Sequence, residues 1–524
     1  MITTTHSAIG RRVAVGTLAA LTLLVLPAVA RAEAGPLAAP AIPNVAALPG
    51  PVVDPGKPAA EMKLLKTTPD VALAGTGITI AGSGLPADKD VTLTWGTANV
   101  DWMLDARADS VDYLGRKATK FAVQLARTHT SASGAFSVKL KAPQDFGGLH
   151  DIYAVVDGVQ VAKGGFLIAR SASMSPKKGP IGTMITITYK GLGSSLYEGG
   201  GALLYDNKYV GAVMANWTRG VATVHIRASG PVGTHTLDIA DAISFKYLNI
   251  EQSPIPWGTG FKFTFHVTAD NGRPASRIDW PVKVAPTLAT RTTLATAGLS
   301  AGSTATANLT SAAGAVMTKV GVTAAGLTPG APVELQWATV VGNRVNCTGT
   351  CWSFVSIPLG KTTASAGGTV NSQIQVPDGL GGWHVVQVLQ AGQVKAQVPY
   401  FVKRSFVGNG VSSLKLKRGQ HFTIHLKGVG WTQLDNTIAV TYDNSYVGYG
   451  CGFNSNGDVV MNMIATGARG THLIDMYPLL YTQQPSYANT PYGMVPVLTY
   501  ERDAPGLALG YELAAMRLAI TIVN

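Results

Sequence analysis

The residues of this 524-residue chain whose types and spacing suit chemistry are a histidine pair, an aspartate series, a cysteine pair and four recurring histidines. His421 and His425 in "HFTIH" stand at the i, i+4 spacing that would let two imidazoles share a metal ion on a helix. The segment alternates apolar and polar residues as a strand does, and four strand residues span roughly 13 Å, too far for one ion. No metal is expected there. Asp101, Asp105, Asp109 and Asp112 in "DWMLDARADSVD" could share one face of a short helix or help hold calcium, which prefers several oxygens. The regular D-x-D-x-D-G loop is missing, and a solvated acidic face is the expectation. Cys347 and Cys351 in "CTGTC" can close a small disulfide loop in an oxidising compartment, which would leave Cys451 unpaired and buried. His150, His384, His235 and His472 each follow shortly after a Gly-Gly or Gly-Thr. A catalytic histidine needs a nucleophile and an orienting acid, whereas four copies at strand starts suit a corner side chain bonded to nearby backbone. G-x-S-x-G, H-E-x-x-H and G-x-x-x-x-G-K are all absent from the sequence. The chain is expected to be non-catalytic and to carry no cofactor.

Aromatic clusters are the better binding candidates. "YPLLYTQQPSYANTPYG" (477–493) places Tyr477, Tyr481, Tyr487 and Tyr492 on a long connection, and "ISFKYLNIEQSPIPWG" with Trp257 is its counterpart upstream. Tyrosine offers a flat apolar face and a hydroxyl, suited to a sugar ring or a protein partner. The competing expectation is that the loop folds back and its rings cover their own core. Trp102, Tyr113 and Trp352, with Phe354, lie in insertions that differ between the two halves of the chain, where a rigid scaffold tends to carry function.

The elements that position these residues are strands. "ITITYKG", "FTIHLKG", "VTLTW", "FSVKLKAP" and "FKFTFHV" alternate with period two, and "LPADKD", "LTPGAP", "VDG" and "ADNG" supply turns between them. "ELAAMRLA" near the end is the one short helix candidate. The same seven-residue pattern occurs twice, "YDNKYVG" at 205–211 and "YDNSYVG" at 442–448, an offset of 237. Each reads as a hairpin whose Asp-Asn turn tolerates positive φ. The offset extends without a gap from "GTMITITYKGLG" (182–193) on "GQHFTIHLKGVG" (419–430) to "GTHTLDI" (233–239) on "GTHLIDM" (470–476). Upstream it becomes 234, where "APQDFGGLHDIYAVVDG" (142–158) falls on "VPDGLGGWHVVQVLQAG" (376–392). The two halves are one duplicated unit. Each half divides into two domain-sized pieces, 66–170 with 171–288 and 315–403 with 404–524. A Pro/Ala-rich tether is expected over 33–65 and a Thr/Ser/Ala-rich linker over 289–314.

"GTGITIAGSGLP", "GTMITITYKGLG" and "GQHFTIHLKGVG" resemble the opening strand of bacterial IPT/TIG-type immunoglobulin-like domains, and "GTHTLDI" and "GTHLIDM" resemble a later strand of such modules. In the third piece the motif is degenerate, as "VGVTAAGL". The resemblance implies an all-β chain of tandem immunoglobulin-like β-sandwiches, four domains arranged as two duplicated pairs. It also implies the roles such domains serve: spacers, adhesins, receptor parts and accessory domains of glycan-active enzymes.

The first 32 residues read as a secretory signal peptide, with Arg11 and Arg12 before the apolar run "VAVGTLAALTLLVLPAVA" and "ARA" as the cleavage signal. No later run reaches the length a membrane helix requires, so the mature chain is expected to lack a transmembrane segment. Removing Arg11, Arg12 and Arg31 lowers the formal net charge from +12 by three, to +9. That excess draws polyanions over long range without recognising any of them, and no specific nucleic-acid binding is expected. The expectation is an extracellular or cell-surface structural or adhesive module, meeting a cell-wall polymer, a polysaccharide or a surface protein. The oligomeric state stays open.

Overall fold

The computed structural model describes residues 45–106, 111–195, 198–242, 245–252, 260–283, 299–343, 352–480 and 495–523. They fall within one unit, Pro36–Asn524. The period-two segments form strands with alternating burial, as in Met184–Lys190 and His421–Lys427. Among the described residues the strands build eight sheets, four of them three-stranded. Each three-stranded sheet shares a hydrophobic cluster with a larger sheet of five or seven strands.

In the first sheet pair, Ile80 and Phe136 of the smaller sheet meet Trp95, Ile152 and Phe166 of the larger. In the second, Ile187 and Ile226 meet Leu203, Ile239 and Phe265. The third gathers Val322 and Ile374 with Trp337, Val386 and Tyr400. The fourth gathers Ile424 and Val459 with Val440, Ile474 and Ile520. The molecule is all-β, and sheets packed face to face around inward-pointing alternate residues are the immunoglobulin-like sandwich arrangement.

Both repeated heptads are hairpin turns. Tyr205 pairs with Lys208 and Tyr442 with Ser445, with φ of 48° and 63° at Asp206 and Asn207 and of 46° and 59° at Asp443 and Asn444. Two successive positive φ values match the twist of a two-residue hairpin, which explains why Asp-Asn stands there.

Four expectations change. The Asp101 to Asp112 series lies on a β-hairpin, not a helix: Asp90–Ala106 and Val111–His129 pair antiparallel with Asp105 opposite Asp112, while Asp109 lies outside the described residues. The last five residues of "ELAAMRLA" lie in the strand Ala515–Ile522, where pairing of Met516–Ile522 with Gly470–Met476 satisfies the backbone. Within the 33–65 tether two segments are strand, Val52–Val53 against Val123 and Ala122 and Lys57–Leu64 beside Val159–Ile168. The 289–314 linker contributes Thr306–Leu309 to the third pair's smaller sheet, while 289–298 lie outside the described residues.

The strands Gly200–Tyr205, Thr437–Tyr442 and Gly382–Gln390 are buried on both faces. A sandwich strand normally keeps one face in water, so a second layer must cover these. That layer comes from the other half of the chain for the second pair, and from within the same half for Gly382–Gln390, whose Val385 packs on Trp431. The cluster of the second pair contains Trp102 and Tyr113 from the first piece, Trp383 and Phe401 from the third, and Tyr477, Leu498 and Tyr511 from the fourth. Arg277–Asp279, after the second pair, adds a strand to the fourth pair's sheet beside Ala515–Ile522. In return, Leu498 donates its N–H to the Ala212 carbonyl at 2.9 Å on the edge of the second pair's sheet.

A buried charge chain ties the same surfaces together. Arg227 pairs with Asp475, which also lies 3.1 Å from Arg517, and Arg517 donates to Asp279 at 2.5 Å. The Arg517 side chain is fully buried and sits over the Tyr477 ring, 5.5 Å from its centroid. Asn444 of the second heptad donates to the Arg227 carbonyl at 2.7 Å and to Ser229 Oγ at 2.9 Å. The two heptads therefore differ in role: only the second heptad's asparagine is buried against the opposite half.

Candidate functional site

The four recurring histidines occupy corners. His150 stacks on Trp95 at 4.3 Å and its ring nitrogens meet the carbonyls of Gly96 and Phe146, each at 2.8 Å. His384 stacks on Trp337 at 4.9 Å and bonds the Leu380 carbonyl at 2.9 Å. Burial pushes His384 down to about 4, so it is neutral near pH 7. His235 and His472 meet the carboxylates of Asp206 and Asp443, each at 2.6 Å, and the carbonyls of Pro231 and Ala468, each at 2.8 Å. Burial opposes charge on His472, yet the Asp443 carboxylate outweighs it and holds the pKa above the ordinary histidine value. The same aspartates accept the backbone N–H of Thr236 and Leu473, each at 2.9 Å. The heptad aspartate therefore ties the hairpin turn to the corner histidine, a structural use of both motifs.

Trp102 and Tyr113 are core residues. Trp102 donates from its indole nitrogen to Asp503 at 2.7 Å, and the Tyr113 N–H donates to Gln433 at 2.8 Å. A hairpin 17 residues along its first strand and 19 along its second carries them into the interface between the halves. Asp503 is completely buried, which raises its carboxyl to about 6 against the hydrogen bonds from Asn216, Trp102 and Trp217. Tyr477 is fully buried and burial pushes its hydroxyl up to about 12, so it offers no face to a ligand. Trp352 is half-buried against Phe453 and Trp431, at 5.9 and 6.2 Å. Tyr481, Tyr487, Tyr492, Trp257, Cys347 and Cys351 lie outside the described residues. Cys451 is exposed, not buried, because it ends an edge strand whose alternate residues face outward. His421 and His425 lie on a strand, where His425 contacts Asp458 at 2.5 Å. Among the described residues, no three His, Cys, Asp or Glu side chains come together as a metal group would.

The structure does form a cleft of about 470 Å³ at the joint between the first and second sheet pairs. Its floor is Gly96, Ala98 and Lys120 on the two strands of the long hairpin. One wall is the outward face of Gly148–Val156, presenting Leu149, Asp151 and Tyr153 at period two. The facing wall is the turn that carries Ser194 and Glu198. Asp151 meets Lys163 at 3.1 Å and accepts from the Tyr153 hydroxyl at 3.2 Å, and these partners raise the Lys163 pKa. Ser195 Oγ donates to Glu198 at 2.7 Å. Arg116 fixes the turn by donating to the carbonyls of Ser194, Ser195 and Gly199 and to Asn216.

Backbone and side-chain bonds cross the joint itself. A parallel bridge links Gly147 to Gly193, and Arg219 reaches across to Asp145 at 2.9 Å and to Thr97 at 2.6 Å. The cleft residues were not singled out in the sequence, because none belongs to a motif. The available signal was the duplication, which sets Ser194 against Trp431 and Leu149 against Trp383 at the same repeat positions.

No protein-family model matches the sequence, and no curated protein matches it. Solved structures do. A putative membrane anchored protein from Corynebacterium diphtheriae is 12% identical, with 88% of this chain and 91% of that one covered, at a TM-score of 0.16. The N-terminal eight Ig domains of Down Syndrome Cell Adhesion Molecule are 10% identical, with 80% and 57% covered, at 0.19. A Salmonella alpha-2-macroglobulin reacted with methylamine is 9% identical, with 86% of this chain covered, at 0.17, and the chain spans only 30% of that protein's length. At these TM-scores the likenesses carry no argument about function. No helix among the described residues is long and apolar enough to cross a membrane.

Proposed function

We propose that the chain is an exported, non-catalytic protein of four immunoglobulin-like domains in two duplicated pairs, acting as a structural or adhesive module at or near the cell surface. The observation that supports this reading is the way the two halves are joined. Strand addition by Arg277–Asp279, the shared apolar cluster and the buried Arg227, Asp475, Arg517 and Asp279 chain tie the two halves to one another rather than leaving them as beads on a flexible string. A spacer or adhesin needs that property to hold a binding face at a fixed place. The proposed signal peptide supplies the export route. The experiment is fractionation of the producing cell followed by co-sedimentation of the purified protein with envelope material over a salt series. Recovery in the exported or envelope fraction is expected; recovery solely in the cytosol would remove the reading. Loss of binding with added salt would assign retention to the net positive charge, and persistence would assign it to a specific surface.

A further inference from the structure

The duplication supplies an internal reference for the cleft. In the second half the corresponding space is a hydrophobic cluster of Ala338, Val340, Val385 and Trp431, with Phe354 packed against it. The offset of 234 sets Val385 opposite Asp151, and the offset of 237 sets Trp431 opposite Ser194. Trp95 and Trp337 each stack on a corner histidine, which aligns Gly96 with Ala338 and Ala98 with Val340. Across the hairpin, Ala98 pairs with Lys120 as Val340 pairs with Phe354. Every one of these five first-half residues lines the cleft. One copy is thus plugged by an indole and a phenyl ring, and the other is open and partly polar.

The outer rim follows the same rule. Trp383 is 6% exposed and donates to the Gly510 carbonyl at 2.9 Å, whereas its counterpart Leu149 is 71% exposed. The charges are rearranged too. Asp435 is buried with Arg404, but the corresponding Arg170 turns instead to Asp241, which leaves Glu198, the counterpart of Asp435, on the cleft wall. Folding does not require this change, since the second copy satisfies the same joint with apolar packing. Filling the joint with rings would remove apolar surface from water, so the open copy gives up stability that its twin keeps.

We propose that this cleft is a binding site for a neutral saccharide. Its walls offer acceptors at Asp151 and Glu198, donors at Lys120 and Ser194, and the flank of a tyrosine ring at Tyr153. Both signs of charge are present, which gives no selection for a polyanion. Hydroxyls that donate and accept match a wall of mixed donors and acceptors, and the volume lies within the range of small-molecule clefts. This site goes beyond the structural role proposed above and does not include Tyr477, which lies in the buried cluster between the halves.

The test is calorimetric titration of the full chain with cellotriose, chitotriose and maltotriose, and with a tryptophan-containing tripeptide as the aromatic alternative. At least one trisaccharide is expected to bind, with affinity falling by ~10-fold or more in Ser194→Trp, which installs the second half's plug. The melting temperature of that variant should stay level or rise, since its twin accommodates the indole. Should Ser194→Trp fail to fold, Glu198→Gln carries the same expectation of lost affinity. Absence of binding by all three trisaccharides, binding unchanged by either variant, or binding of the tripeptide alone would overturn the proposal.

Discussion

At the scale of single residues, burial and hydrogen-bond partners set how three groups couple stability to pH. His384 is completely buried and held at about 4, well below its unfolded value. Between those values the unfolded chain binds a proton that the folded chain does not, so stability falls as pH drops from about 6.5 towards 4. The contribution is on the order of 3 kcal/mol for a shift of that size. Asp503 acts in the opposite sense. Its folded carboxyl sits at about 6, above the ordinary aspartate value, so its contribution is present below about 4 and is lost as pH rises through 6. Urea midpoints measured from pH 4 to 8 should separate the two. His384→Gln is expected to flatten the acid-side loss, and Asp503→Asn should remove the decline towards neutral pH. His472, with a raised pKa, adds stability below the unfolded value near 6.5 that is lost as pH climbs through the folded one.

At the scale of elements, the joints within each half depend on backbones in close approach. A Cβ on Gly147 would lie 1.8 Å from the Gly191 carbonyl oxygen, and one on Gly381 would lie 1.8 Å from that of Gly428. Since backbone must shift to admit the atom, Gly147→Ala and Gly381→Ala are each expected to destabilise by about 3 kcal/mol. Limited proteolysis should show cleavage near the affected joint before global unfolding. The long hairpin is a second dependence. Trp102 fills the shared cluster and satisfies the buried Asp503, so Trp102→Ala is expected to cost about 4 kcal/mol and to lower the unfolding midpoint measurably. Alternation along "VDWMLDA" tells which residues share a face of that hairpin. It does not tell that a second sheet system covers the outward face, and so Trp102 and Tyr113 read as exposed binding candidates when they are core.

At the scale of the whole molecule, the halves are joined through groups that cannot be left unpaired. Asp475 is shared by Arg227 and Arg517, both buried. Asp475→Leu would leave those guanidinium groups without their common carboxylate and is expected to cost about 4 kcal/mol. The double variant Asp475→Leu, Arg227→Met should recover part of that loss, because paired apolar replacement avoids a stranded charge. Unfolding followed by tryptophan fluorescence and by scattering would show whether the halves separate before they unfold. A single coincident transition in the native chain and two transitions in Asp475→Leu are the expected outcome.

By itself the sequence determined the period-two strands, the Asp-Asn hairpins, the histidine corners and the duplication. These rest on interactions between residues close in the chain, such as period-two alternation, positive φ at a turn and side chain to nearby carbonyl, and local spacing records them. Tertiary structure alone decided which outward faces were covered, which heptad asparagine became an interface contact, and which copy of the joint stayed open. The covered faces and the interface asparagine depend on contacts across more than two hundred residues, as in Trp102 with Asp503 and Asn444 with Arg227, and the joint depends on strands and turns far apart in the same half. Ser194 and Lys120 are unremarkable in the chain, and they become cleft walls only where pairing sets them against the positions that Trp431 and Phe354 fill in the other half.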